Sequence, residues 1–265
     1  MTDSPAYTIA DDLAVALTLA AEADLIAMDR YLSQDLGIQL KADKSIVTDA
    51  DTRVERMIRD RLAEVRPHDA VLGEEFGEEG DSRRRWIIDP IDGTSNFARG
   101  VPIWGALIAL VVDGVPVVGV VSAPALGRRW WGATGHGAWL EQSGGEPRRL
   151  RVSAIDRLAD ATLSYNNLQS WDQYGHLERL VELSRAVGRT RAFGDLWAYM
   201  LLAEGAIDVV GEFDVKPWDI AALVPVIVEA GGRVTAASGS DRLDELSVVA
   251  SNGLLHDTVL DALRG

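Results

Sequence analysis

With 265 residues, 47% of them apolar and 25% charged, the chain can bury a substantial core as one large domain or two smaller ones. A net charge of −15 argues against nucleic acid or an anionic membrane as the main partner, but leaves a small phosphate open, because metal ions invert a local field. With no cysteine, disulfides, thiolate metal sites and cysteine nucleophiles are excluded. The acidic start, Met1 to Asp12, lacks a basic-then-apolar signal pattern, and no uncharged apolar run approaches the roughly 20 residues that span a bilayer, so the expected location is cytoplasmic.

Residues 8–33 read as a helix, with Thr8 and Asp11 as a capping pair and Ile9, Leu13, Leu17 and Ala20 as the inward face. Lys41 to Val47 is a polar connection. A second helix is expected from Ala50 to Val65, with Asp49 and Asp51 at its positive end; Asp49 reads as the N-cap, and Asp51 is open to both capping and chemistry. Val71 to Glu75 looks like a short strand stopping at a glycine and two acids, and Glu78 to Arg85 like a solvated loop.

The run Trp86-Ile87-Ile88 predicts a buried strand, and Pro90 and Gly93 predict its abrupt end. Asp89 and Asp92 emerge there together, and carboxylates so close require a cation or a raised pKa. Gly93 lets the backbone approach a ligand, and Thr94 and Ser95 offer N–H groups and hydroxyls to an anion. Acids for cations beside donors for an anion suit phosphate chemistry with metal ions, although Asp-Pro and Asp-Gly are also ordinary turn dipeptides.

A β-rich stretch follows: Trp104 to Val112, Val115 to Ala123, Arg128 to Ala133 and Ala138 to Glu141, with Asp113-Gly114 as a hairpin turn and Pro147 to Val152 as an edge. Trp130, Trp131 and Trp139 read as core. The second half alternates: strand Thr162 to Tyr165, helices Trp171 to Ser184 and Asp195 to Ala203, strand Ile207 to Val210, a helix from Pro217 to Ala230, strand Leu246 to Ala250 and helix Leu254 to Leu263. The expected division is an α+β half, residues 1–150, carrying the metal and phosphate motifs, and an α/β half, residues 151–265, carrying Asp219. Read alone, Asp219 in the first turn of its helix also serves as a dipole-compensating acid.

Gly73-Glu74-Glu75, Asp89-Pro90-Ile91-Asp92-Gly93-Thr94 and Trp218-Asp219 with Ala221-Ala222 resemble, in order, the three motifs of the inositol monophosphatase family, and Val47-Thr48 with Asp51 matches a further one upstream. The resemblance spans nearly the whole chain. It implies a layered αβαβα sandwich of the inositol monophosphatase and fructose-1,6-bisphosphatase type and magnesium-dependent hydrolysis of phosphate monoesters. By resemblance, Glu74, Asp89 and the Ile91 carbonyl hold a first magnesium, Asp89, Asp92 and Asp219 hold a second, and a third ion sits beside Glu74. Asp51, Glu74 and Thr94 are then the catalytic set, with Asp51 and Thr94 orienting the attacking water. Gly93, Thr94 and Ser95 meet the phosphate. The family is commonly dimeric, which implies a homodimer.

Arg99-Gly100-Val101-Pro102-Ile103-Trp104, Phe193-Gly194-Asp195-Leu196-Trp197 and Leu202-Ala203-Glu204-Gly205-Ala206 look like the histidinol-phosphate phosphatases of this superfamily. A cationic histidinol would suit Asp195, Glu212 and Asp214. Glu212 also matches a substrate-binding glutamate of inositol monophosphatases, and Lys216-Pro217 resembles bacterial members of that group. Arg191 faces the substrate by family position, or else forms a surface salt bridge. The expected substrate is therefore histidinol phosphate, with inositol or other sugar and nucleotide monophosphates as the alternative. A catalytically idle metal- or partner-binding relative is the reading from another class.

Overall fold

The computed structural model describes residues 7–33, 35–40 and 46–264, so most of the expected Lys41 to Val47 connection lies outside the described residues. An eight-stranded sheet is built from residues between Ala70 and Arg149, and a five-stranded sheet from residues between Thr162 and Ser251.

Strand alternation sorts the side chains of the large sheet onto two faces. Trp86, Ile88, Ile108, Leu110 and Val120 pack with the helices Ile9–Arg30 and Asp49–Val65. Ile87, Leu107, Ala109, Val121 and Trp130 turn the other way and meet the helices Asp195–Ala203 and Leu223–Glu229. Val210, Val248 and Ala250 of the small sheet close that same middle layer. Leu163, Val209 and Val249 point outward onto the helices Leu168–Gln173, Leu177–Ala186 and His256–Arg264. Helix, sheet, helix, sheet, helix: the expected five-layer sandwich is the observed one. No helix among the described residues is long and apolar enough to cross a membrane.

The first helix carries the expected Thr8–Asp11 capping box, and the expected Ile9, Leu13, Leu17 and Ala20 all pack on the core, the first three only partly buried. Asp12, Ala16, Leu19, Ala20, Ala23 and Ala27 are buried, so small residues let the helix lie close to the sheet. The buried acid is paired: Asp12 accepts from Arg66 Nε at 2.9 Å and from Arg84 at 3.0 Å.

Three expectations are corrected. The helix expected over Trp171 to Ser184 is two, broken at Tyr174–His176, where Gly175 takes a left-handed φ of +76°. The one expected from Pro217 to Ala230 is interrupted at Ala221–Ala222, because Pro225 has no N–H to give the Ala221 carbonyl. The short strand Gly77–Glu79 forms where a loop was expected, and strands Arg189–Arg191 and Arg233–Thr235 form where no element was expected; each is a sheet-edge strand.

Candidate active site

The strand Arg84–Asp92 does not stop at Pro90, as its sequence predicts, but runs through to Asp92. Its pairing with the strand Gly105–Val112 steps from Asp89 opposite Leu107 to Asp92 opposite Gly105, three residues against two. That extra residue is a β-bulge, a position where a proline without N–H is tolerated. It matters for the chemistry, because in a regular strand residues three apart face opposite sides. The bulge brings the Asp89 and Asp92 carboxylates to one side. Gly93 then turns the chain with φ +81°, in close approach to the Ile103 carbonyl, and caps the short helix Thr94–Ala98.

Asp219 comes from the other half of the chain, on the short helix Pro217–Ile220, where its Oδ2 accepts the Lys216 N–H at 2.7 Å. Carboxylate oxygens of Asp89, Asp92 and Asp219 all lie within 4.8 Å of one another. Burial, followed by repulsion from Glu74, Asp92, Asp219 and Asp51, pushes the Asp89 carboxyl well above its usual range. Burial and then Asp195 and Asp219 do the same to Asp92. Asp219 is raised by burial, and further by Glu74, to about 7. Carboxyls so strained toward protonation are relieved by a counter-charge, and an all-oxygen donor set fits a hard divalent cation.

Asp51 sits at the third position of the helix Asp49–Val65, fully buried. Thr48, not Asp49, is the cap; the Thr48 N–H donates to Asp51 Oδ2 at 2.8 Å and its hydroxyl at 2.6 Å. Asp49 instead pairs with Arg30 at 3.0 Å and Arg53 at 2.9 Å. The other Asp51 oxygen lies 3.2 Å from Thr94 Oγ1, so this acid both caps its helix and reaches the site. Burial raises its pKa to about 6. Thr94 Oγ1 is also 2.9 Å from the Ile91 carbonyl. One hydroxyl proton cannot serve both acceptors at once.

Beyond the three aspartates lies a second set of acids. Asp195, with φ +49°, accepts Asn96 Nδ2 at 2.9 Å. Glu212 shares the inward side of its strand with Val210, and its buried carboxylate lies beside the buried Tyr199 hydroxyl. Burial, then Asp195, pushes the Glu212 carboxyl well up. Ser95 is exposed at the helix start. Arg191 is exposed on an edge strand, donates to its neighbour Thr190 O at 2.7 Å, and forms no ion pair among the described residues. Asp214 is exposed and pairs with Lys216 at 3.1 Å.

Sequence reasoning missed Glu55, Asn96 and Tyr199. Glu55 was detectable in principle: four residues after Asp51 on a helix, it must share that residue's face. Asn96 and Tyr199 carry no local signal: Asn96 meets Asp195 from the other half of the chain, and Tyr199 meets Glu212 from a different element.

The sequence model of the inositol monophosphatase family matches residues 9–265. A histidinol-phosphatase of Mycobacterium tuberculosis is 52% identical over 255 residues, covering 96% of this chain and 98% of that one. A histidinol-phosphatase of Streptomyces coelicolor is 47% identical over 258 residues, covering 96% and 97%. Among solved structures, an inositol monophosphatase from Zymomonas mobilis superposes with a TM-score of 0.86 at 31% identity, covering 98% of this chain and 100% of that one.

Proposed function

The chain belongs to the inositol monophosphatase family, a metal-dependent group, and from that footing we propose that it is a magnesium-dependent histidinol-phosphatase, converting L-histidinol phosphate and water to L-histidinol and phosphate. The observation that carries the metal part is the convergence of the Asp89, Asp92 and Asp219 oxygens within 4.8 Å. Two magnesium sites are assigned, Glu74, Asp89 and the Ile91 carbonyl for one and Asp89, Asp92 and Asp219 for the other, with room in the scheme for a third ion beside Glu74. When bound, magnesium supplies the positive charge that steadies phosphoryl oxygens and acidifies water.

The chain's own residues do the rest. Thr94 and Asp51 orient the attacking water and take up its proton, the hydroxyl at 3.2 Å from the carboxylate forming the relay. The water oxygen forms the new bond to phosphorus as the ester bond breaks, and the departing alkoxide leaves as histidinol after gaining a proton. The N–H groups at Gly93, Thr94 and Ser95 start a helix and so have no intrahelical partner, which suits phosphate oxygens. Asp195 and the buried Glu212 supply negative charge for the amine and imidazole of the substrate.

The names of the two bacterial relatives, at 52% and 47% identity over nearly full length, support histidinol phosphate. Hydrolysis of inositol monophosphate is the second reading, favoured by the Zymomonas fold match and by the position of Glu212. Turnover of the two esters side by side, with and without magnesium, tests both: faster inositol release overturns the substrate assignment, and no turnover of any monoester overturns the hydrolase. By family resemblance we assign a homodimer, which light scattering checks.

A further inference from the structure

We propose that Glu55 is a positioning residue that pins the Gly73–Phe76 turn and thereby sets Glu74 against the metal cluster. The inference rests on the reading of Glu74 as a metal ligand. Asp51 and Glu55 stand one turn apart on the helix Asp49–Val65, and both side chains are fully buried. Asp51 reaches Thr94; Glu55 reaches the turn that carries Glu74. Glu55 Oε2 accepts the Glu75 N–H at 2.7 Å, and Oε1 accepts the Phe76 N–H at 3.1 Å and Arg59 Nε at 2.8 Å.

Every group facing this carboxylate is a donor, so only an acceptor-only side chain satisfies them all. Its path explains Gly73: a Cβ there would lie 2.0 Å from Glu55 Oε1. Arg59 extends the clamp by donating to the Gly77 carbonyl, and its guanidinium lies 5.9 Å from the Phe76 ring centroid, with that of Arg56 at 5.3 Å. On the other side the Glu74 N–H donates to the Ile88 carbonyl at 3.2 Å, tying the turn to the strand that bears Asp89. The Glu74 backbone is thus held on both flanks, by the strand and by Glu55.

The test compares wild type with Glu55→Gln and Glu55→Asp, reading magnesium binding by calorimetry and by the rise in melting temperature across a magnesium titration. Glu55→Gln turns an amide NH2 toward a donor, and Glu55→Asp keeps the charge but falls short of the turn. The expected result is a half-saturating magnesium concentration raised about 10–100-fold, as for other partners that orient metal ligands. A merely structural role would lower the melting temperatures of metal-free and metal-loaded protein together and leave the half-saturating concentration unchanged; that result overturns the proposal. If Glu55→Gln does not fold, Glu55→Asp decides on the same reading. If wild type itself binds no magnesium, the metal reading of the cluster fails first. If wild type and both variants bind equally, only the role of Glu55 falls.

Discussion

Asp92 accepts the backbone N–H of Leu196 at 2.6 Å, a bond between residues 104 apart that joins the bulged strand of the large sheet to the helix Asp195–Ala203. A carboxylate assigned to metal therefore also holds the helix that presents Asp195. Asp92→Asn keeps the shape and an acceptor for that N–H while removing one half-buried charge. Turnover is expected to fall at least about 100-fold, the equivalent of about 3 kcal/mol of lost charge stabilisation. The metal-free variant should melt higher than metal-free wild type, because a repelling acid is gone. Near-normal turnover would contradict the ligand role, and an unchanged melt would contradict the repulsion.

Thr94→Ala removes the hydroxyl between Asp51 and the Ile91 carbonyl without touching a carboxylate. A loss of about 10²–10⁴ in turnover is expected, the range for a positioned proton-transfer group. Magnesium binding, read by calorimetry, should change far less than turnover. A parallel collapse of both would assign Thr94 to holding the metal.

The acid cluster sets a pH dependence. Folded pKa values raised above the unfolded ones mean that the folded cluster binds protons more readily, so its contribution to stability is full at low pH and lost as pH rises through the folded values, about 7 for Asp219. Magnesium replaces the missing protons. The rise in melting temperature on adding magnesium should accordingly be larger at pH 8 than at pH 5.5, and equal shifts would mean the ion does not sit among these acids.

His256 works in the opposite direction. Its ring is buried between Thr235 Oγ1, 2.9 Å from Nε2, and Ser251 Oγ, 3.0 Å from Nδ1. Burial, helped by Arg233, lowers its pKa from 6.5 to about 4. The unfolded chain takes up the proton first, so stability is full above about pH 6.5 and falls as pH drops toward 4. Urea midpoints should decline over that window, and His256→Gln should flatten the decline; a slope unchanged in the variant would place its origin elsewhere.

Asp195 separates the two substrates. Its left-handed backbone is one that asparagine tolerates, so Asp195→Asn should fold. Losing a charge-assisted contact to a cationic substrate should raise KM for histidinol phosphate about tenfold or more and leave that for inositol monophosphate nearly unchanged. Equal effects on both esters would remove Asp195 from cation recognition.

Much of this protein was readable from local pattern. The capping box at Thr8, the hairpin at Asp113-Gly114 and the motifs carrying Glu74, Asp89, Asp92 and Asp219 each depend on neighbours within a few residues, so the linear order carries them. The tertiary structure decided what depends on distant neighbours. The register against Gly105–Val112 made the bulge that turns Asp89 and Asp92 to one side, and a helix 43 residues upstream of Thr94 delivered Asp51 to it. Close packing on the sheet added alanines and a paired Asp12 to the inner face of the first helix, alongside its larger apolar residues. Packing also buried Glu55 beneath Gly73 and set the Glu212 carboxylate beside the Tyr199 hydroxyl. Chain order specifies which chemistry is present, because residue type and short spacing are local properties; which of those groups meet is settled by burial and register, which involve the whole chain at once.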